Sequence, residues 1–223
     1  MKIALVAATR QEIVPTLDYL AERLYLKSHH RFNTIITGVG ILNTTYALTK
    51  SFAVEKPDLA IQAGVAGTLH PVYRPGIVLT VKEEIIGDLG VIENEELHDV
   101  FDLQLAEANA FPFQNRKLVN PHLELIAKTQ LLCIRGITVN EITTQSEKIH
   151  QLIEKYAPVV ESMEGAAFHY VCLQEGIPFV QLRAVSNFIG ERDKAKWKMH
   201  EAICNLNLEL NNFINKITEV HYT

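Results

Sequence analysis

Two runs, Glu161-Ser162-Met163-Glu164-Gly165-Ala166-Ala167 and Pro178-Phe179-Val180-Gln181-Leu182-Arg183-Ala184-Val185-Ser186-Asn187, carry the most information about this chain. In the first run a Met-Glu pair precedes a helix rich in small residues, and Gly176 predicts where that helix ends. The second run is an apolar strand that ends in polar residues. A helix that returns the chain to the sheet brings both polar ends above one edge of it. Glu164 and Asn187 are therefore expected to face one site.

The rest of the chain alternates between strand-like and helix-like segments, which predicts an α/β fold. We expect a single domain over residues 1–223, with a central, mixed, mostly parallel twisted sheet flanked by helices. Apolar stripes predict a C-terminal helix through Ile203, Leu206, Leu210, Phe213 and Ile217 that packs on the sheet, a partner-binding helix being the alternative. The predicted strands cover residues 1–8, 32–37, 58–63, 76–86 and 131–139, and the predicted helices cover residues 11–26, 43–54 and 144–156.

Composition excludes several classes of function. The chain has 223 residues, a net charge of -5 and 48% hydrophobic residues, so it has no basic footprint for nucleic acid or an anionic membrane. Its three cysteines, Cys133, Cys172 and Cys204, are isolated within apolar patterns and are expected to be buried, reduced thiols. No metal-binding spacing, signal sequence or membrane span is visible. A cytoplasmic protein without a metal is expected.

Four polar or glycine-rich segments follow predicted strands: residues 9–12, 38–40, 64–67 and 186–187. Ligands of parallel α/β sheets bind at the carboxyl ends of the strands. Four such ends in one chain favour a binding site over four unrelated turns. Each residue also has a structural explanation, since Glu12 and Glu164 are acids at helix starts and Asn187 is an asparagine after a strand.

The Ser162-Met163-Glu164 and Arg183–Asn187 runs resemble the nucleosidase/nucleoside phosphorylase superfamily. The continuation Phe188-Ile189-Gly190-Glu191-Arg192-Asp193 is similar to the futalosine hydrolases of menaquinone biosynthesis. The resemblance implies hydrolysis of the N-glycosidic bond of futalosine, which releases hypoxanthine and dehypoxanthine futalosine. It also implies no cofactor and no metal, a small-molecule nucleoside as the bound partner, and a homodimer or higher homo-oligomer.

The resemblance assigns the catalytic roles to three residues. Glu12 matches the glutamate that activates water, and Glu164 matches the carboxylate that accepts hydrogen bonds from the ribose hydroxyls. Asn187 stands where adenine-specific members carry an aspartic acid that protonates purine N7. An amide is not a strong acid, but it can donate to N7 and interact with an exocyclic O6. Asn187 therefore favours hypoxanthine over adenine as the leaving base.

Five further residues are candidate substrate-binding positions by the same resemblance. Met163 is expected to lie under the sugar, and Ser186 directly precedes Asn187, the residue expected to bind the base. Val65 stands where the family often has serine, and Ile142 stands where it has an aromatic residue against the base. Phe188 is the candidate replacement for that aromatic ring.

Three residue interpretations and four alternative functions stay open. Asp88 is a candidate for the 5′ end of the substrate, Arg183 is interpreted as structural, and Arg10 is the one basic residue near the first loop. The enzymatic alternatives are a 5′-methylthioadenosine/S-adenosylhomocysteine nucleosidase, an aminofutalosine nucleosidase and a purine nucleoside phosphorylase. The alternative outside enzymes is a nucleoside-binding sensor.

Overall fold

The computed structural model describes residues 1–24 and 30–218. Within these ranges strands and helices alternate along the chain. The strands are β1 (Lys2–Ala7), β2 (Arg31–Ile36), β3 (Leu59–Thr68), β4 (Val78–Ile86), β5 (Gly90–Glu93), β6 (Glu96–Asp99), β7 (Leu118–Val119), β8 (Cys133–Thr138), β9 (Val160–Ser162) and β10 (Phe179–Phe188). The α-helices are α1 (Val14–Leu24), α2 (Ile41–Val54), α3 (Leu123–Thr129), α4 (Ser146–Tyr156), α5 (Gly165–Glu175) and α6 (Met199–Thr218). Short 3-10 helices cover Arg10–Glu12 and Lys194–Lys196.

All strands except the β5–β6 hairpin belong to one mixed sheet with the order β10-β4-β8-β9-β3-β1-β2, and β7 pairs with β4. The β1–β2, β1–β3, β3–β10, β4–β8 and β8–β9 pairs are parallel, which confirms the mostly parallel sheet. Strand β3 also pairs with β10, so β3, β10, β4, β8 and β9 form a closed ring of pairings. The ring brings β9 next to β3 beside the end of β10.

Helices bury both faces of the sheet. On one face, Leu206, Leu210 and Phe213 of α6 pack with Leu5 and Ile61, which confirms the apolar stripe as a core face. On the other face, α2 and α5 pack against the same strands through two further groups of buried side chains, Leu48 and Phe52 from α2 and Phe168, Val171 and Cys172 from α5. Apolar residues that recur every three or four positions lie on one face of a helix, so they are buried together against the sheet. Helix α5 ends at Glu175, and its C-cap residue, Gly176, has a positive φ of 61°, which suits a residue without a Cβ.

The structure differs from the sequence predictions at several places. The third strand was expected to end at residue 63, but residues 64–67 also lie inside β3, which is longer than predicted because β10 and β9 continue to pair with it. The predicted helix 11–26 is divided into the 3-10 helix and α1, and its last two residues lie outside the described residues. Cys172 is buried, but Cys133 and Cys204 are exposed, because each lies at an outer position of its strand or helix.

Candidate active site

A cavity of about 400 Å³ opens near the carboxyl ends of β1, β3 and β10. Its floor includes Glu12, Glu164 and Asn187, which the sequence places on three separate segments. Its other wall comes from the segment after β10 and the start of α6, with Ile189, Trp197 and further side chains from Arg192, Met199 and Ile203. The volume is within the range of sites for small molecules.

Glu12 is held on both oxygens. Its Oε2 accepts hydrogen bonds from the Thr9 backbone N–H at 2.8 Å and from the Thr9 hydroxyl at 3.0 Å. Its Oε1 accepts from the backbone N–H of Val65 at 3.1 Å. The side chain is buried apart from its cavity face, with 8% of the residue exposed. These three donors fix the carboxylate in one orientation, as a group that must abstract a proton requires.

Glu164 contacts the turn after β2 and the buried guanidinium of Arg183. Its Oε1 accepts from the Gly40 N–H at 3.1 Å, and its Oε2 forms an ion pair with Arg183 Nη1 at 3.4 Å. Gly40 has φ 97°, a conformation that glycine adopts without steric cost. Arg183 is almost fully buried and also donates to Gln62 Oε1 at 3.2 Å. It also donates to the Val65 carbonyl at 3.4 Å, and the structural role expected of it from the sequence stays a prediction.

Gly64 leaves the space that this arrangement needs. A Cβ on Gly64 would lie 2.5 Å from Arg183 Nη1 and 3.1 Å from Glu12 Oε1. Both distances are shorter than ordinary contacts, so a side chain here would push the guanidinium and the carboxylate aside. Gly64 therefore allows the guanidinium and the carboxylate to approach the backbone of β3 closely.

A β-bulge presents Ser186 and Asn187 together to the cavity. Val185 pairs with Ala66 and Asn187 pairs with Gly67, so Ser186 is the extra residue between them. The Ser186 hydroxyl donates to Asn187 Oδ1 at 2.7 Å, and Asn187 Nδ2 donates to the Phe188 carbonyl at 2.9 Å. One bond on each end of the amide fixes which end carries the oxygen. One Nδ2 proton is left for a ligand.

Glu161 and Ser162 also line the cavity, although the sequence analysis gave them no role. Glu161 Oε1 accepts from the Thr143 N–H at 3.1 Å, while Oε2 is buried and has no hydrogen-bond partner among the described residues. Burial raises the pKa of the Glu161 carboxyl, and the Thr143 hydrogen bonds and the charge of Lys148 partly oppose this. The available sequence signal was an acid at the end of a buried strand, two residues before the Met-Glu pair.

A buried polar network supports the floor of the site. Glu84 accepts from Gln181 Nε2 at 2.8 Å and from the Thr138 hydroxyl at 2.9 Å, and that hydroxyl accepts from the Ala166 N–H at 2.8 Å. Burial raises the pKa of Glu84 to about 7, against the opposing hydrogen bond from Gln181 and the charge of Arg183. The network fixes the first turn of α5, and therefore the position of Glu164.

The remaining candidate residues fall into two groups. Met163, Val65 and Ile142 line the cavity with the three catalytic candidates and Ser186. Phe188 does not line it: its side chain is exposed, because the residue after an inward-facing strand position faces the other side of the sheet. Ile189 lines the cavity instead, with its Cδ1 over Gly67. Asp88 lies outside the lining and accepts from the Asn140 N–H and the Glu141 N–H.

Metal-ligand clusters and membrane-spanning helices are both absent from residues 1–24 and 30–218. No group of three or more His, Cys, Asp or Glu side chains there is arranged to hold a metal ion. No helix in the same ranges is both long enough and apolar enough to cross a bilayer.

The fold and the site together define a nucleoside-cleaving type of α/β protein, with two carboxylates and an amide at the strand ends. Residues 2–218 match the Phosphorylase superfamily, and the chain belongs to that family. It is similar to the futalosine hydrolase of Thermus thermophilus, with 34% identity over 169 residues that cover 75% of this chain and 74% of the relative. It is also similar to the aminodeoxyfutalosine nucleosidase of Campylobacter jejuni, with 28% identity over 98% of this chain and 99% of the relative.

Among solved structures, the fold is similar to that of futalosine hydrolase from Helicobacter pylori. The TM-score is 0.80 at 16% identity, and the match covers 97% of this chain and 98% of the other. At that identity the likeness concerns the fold.

Proposed function

We propose that this chain is a futalosine hydrolase, an N-glycosidase that releases hypoxanthine from futalosine and leaves dehypoxanthine futalosine for menaquinone biosynthesis. One observation carries the proposal. Glu12, Glu164 and Asn187, from three distant segments, line one cavity together. The likeness to the Thermus thermophilus futalosine hydrolase supports the choice of substrate.

In the proposed mechanism Glu12 acts as the general base. Its carboxylate takes a proton from a water molecule while the water oxygen bonds to C1′ of the ribose and the C1′–N9 bond breaks. The three hydrogen bonds from Thr9 and Val65 hold the carboxylate in place for this transfer. General-base assistance of this kind typically contributes ~10²–10⁴-fold to the rate. Val65 supplies a backbone N–H here and has no hydroxyl to offer the water.

Glu164 is the proposed ribose-binding group. The sugar gains positive charge as the bond to the base breaks, and a fixed carboxylate beside it stabilises that charge. The ion pair with Arg183 and the Gly40 N–H hold Glu164 from behind. Met163, the preceding residue, lines the cavity and supplies an apolar surface for the sugar.

Asn187 is the proposed base reader. Its amide orientation is fixed by Ser186 and Phe188, and the remaining Nδ2 proton can be donated to N7 of the purine. The electron pair of the broken bond moves into the purine, and a hydrogen bond at N7 stabilises it there. The final proton on hypoxanthine comes from solvent. Ile142 supplies an apolar wall for the base.

A phosphorylase is the less well supported alternative because it requires several basic groups around a phosphate. Among the described residues that line the cavity, Arg192 is the only lysine or arginine. Its guanidinium lies over the Trp197 ring, with 5.8 Å to the ring centroid. A single exposed arginine at the mouth suits the carboxylate of the futalosine benzoate better than a phosphate next to Glu12. Arg10, the basic residue that the sequence placed near the first loop, is not part of the lining.

The activity is tested by measuring base release from a small panel of substrates. We expect hypoxanthine from futalosine at the same rate with and without inorganic phosphate. Aminofutalosine and 5′-methylthioadenosine should be cleaved more slowly. Release that depends on phosphate would identify a phosphorylase, and preferred release of adenine would identify one of the adenine nucleosidases. Tight binding without release of any base would identify a sensor.

We also propose that the protein is a cytoplasmic homodimer or larger homo-oligomer. Support for the oligomer comes from the cavity mouth, where Val39 lines the cavity and Leu42 and Tyr46 lie exposed nearby on one face of α2. Exposed apolar side chains of this size next to a site favour a protein contact. Sedimentation analysis of Leu42→Asp tests this, because the charge should shift the assembly towards the monomer.

A further inference from the structure

Glu161 is a buried acid in the active-site cavity that the proposed mechanism does not use. Only 4% of the residue is exposed, and its Oε2 accepts no hydrogen bond from the described residues. The Ser162 hydroxyl oxygen, which belongs to another cavity-lining residue, is likewise buried and has no partner among the described residues. Buried polar atoms are normally paired, so two unpaired ones on neighbouring residues of the cavity lining indicate the place of a polar ligand.

Strand pairing fixes the position of Glu161 relative to Asn187. Gly67 of β3 pairs with Asn187 of β10 on one side and with Glu161 of β9 on the other. The two residues are therefore two strand spacings apart, or about 10 Å between backbones. Residues in direct register point to the same face of a sheet, and Gly67 between them has no side chain, so the Ile189 Cδ1 lies over it. Asn187 and Glu161 thus line the cavity on opposite sides of the Ile189 side chain.

We propose that Glu161 is a specificity-determining residue that accepts the N1–H of a 6-oxopurine base, on the edge opposite the one that Asn187 binds. This inference rests on the proposed function, because it concerns the base of the same substrate. Hypoxanthine carries a proton on N1, so its N1 is a hydrogen-bond donor. Adenine has an unprotonated N1, which is an acceptor and is repelled by a carboxylate oxygen.

The geometry also explains why the orientation of Glu161 is fixed without the ligand. Thr143 N–H holds Oε1, which leaves Oε2 for the base. If Glu161 only accepted the hydrogen bond from the Thr143 backbone N–H, one oxygen would be enough, and a glutamine amide could provide it. The second oxygen distinguishes the two roles, because only recognition of the N1–H requires a second acceptor.

The test is the substitution Glu161→Gln. The glutamine keeps an oxygen for Thr143 N–H but presents an NH₂ group to the base, which repels the N1–H of hypoxanthine and matches N1 of adenine. Loss of a hydrogen bond to a charged group predicts a fall of roughly ten- to a hundredfold in the ratio of kcat/KM for futalosine to kcat/KM for aminofutalosine. Glu141→Gln is the matched control, because Glu141 is exposed and outside the cavity lining. It should leave the ratio unchanged.

A second measurement uses the wild-type protein and does not depend on turnover or on a stable variant. Calorimetry with free bases should show tighter binding of hypoxanthine than of 1-methylhypoxanthine, in which a methyl group replaces the N1 proton, and than of adenine. Equal binding of hypoxanthine and 1-methylhypoxanthine overturns the assignment, as does an unchanged ratio in Glu161→Gln. Futalosine turnover by the wild type tests the proposed function separately, so that failure of one is distinguishable from failure of the other.

Discussion

Replacing Glu12 by glutamine removes the proposed general base with the smallest change in shape. The structure predicts two separate effects of this change. The carboxylate accepts from Thr9 through Oε2 and from Val65 N–H through Oε1, so both of its oxygens are acceptors. A glutamine has one acceptor oxygen. If that oxygen stays with Thr9, the NH₂ group faces the Val65 N–H, and two donors meet.

The magnitude of each effect follows from this geometry. An unsatisfied buried N–H costs ~1–3 kcal/mol, which for a chain of this size lowers Tm by roughly 2–12 °C. Loss of the base lowers kcat by ~10²–10⁴-fold. The Tm change measures the first effect and the kcat change at saturating futalosine measures the second. Hypoxanthine binding should stay within a few-fold of the wild type, since Glu12 does not contact the base in this mechanism.

The assay is steady-state release of hypoxanthine at saturating futalosine, with thermal unfolding measured on the same samples. A variant that keeps a near wild-type rate would refute the base assignment and leave Glu12 as an acid that only caps the first turn. Thr9→Val serves as the control, because it removes the 3.0 Å hydroxyl hydrogen bond and keeps the carboxylate. We expect Thr9→Val to lower kcat by less than about tenfold, the value of one ordinary hydrogen bond.

Three further predictions concern the rest of the site. Asn187→Asp should shift the kcat/KM ratio towards adenine nucleosides by roughly ten- to a hundredfold; an unmoved ratio would rule Asn187 out as the base reader. Glu164→Ala should lower both rate and affinity and also lower Tm, because Arg183 loses its ion pair, and the wild type should cleave a 2′-deoxy substrate poorly; equal cleavage of deoxy and ribo substrates would contradict the ribose contact. For Glu84, with a pKa raised from 4.5 to about 7 in the folded protein, the native state binds more protons than the unfolded state between these values, so the free energy of unfolding falls as pH rises, by up to ~1.4 kcal/mol per pH unit. Glu84→Gln should flatten this dependence in urea unfolding measured from pH 5 to pH 8, and an unchanged slope would show that Glu84 ionises normally.

Part of the site could be predicted from single positions in the sequence. The Met163-Glu164 pair, the polar end of the 178–187 strand and Glu12 after the first strand were each recognisable, because they follow strands whose carboxyl ends must share one edge. The structure places all of them in one cavity. Their catalytic roles stay predictions until the variants are measured.

Other parts could not be predicted because they depend on partners that are distant in the sequence. The bulge at Ser186 exists only because β10 is paired with β3, and it decides that Asn187 faces the cavity while Phe188 does not. The same pairing extends β3 through residues 64–67, beyond residue 63, where the strand was expected to end.

The sequence by itself determined the α/β class, the family resemblance and the three catalytic candidates, since these depend on local residue patterns. The tertiary structure decided how those residues are held and what else reaches the cavity. Arg183 under Glu164, Gly64 between the guanidinium and Glu12, and Glu161 across Gly67 from Asn187 all come from strand register. Register is fixed by the pairing of whole strands around the closed ring, and no short stretch of sequence contains that information.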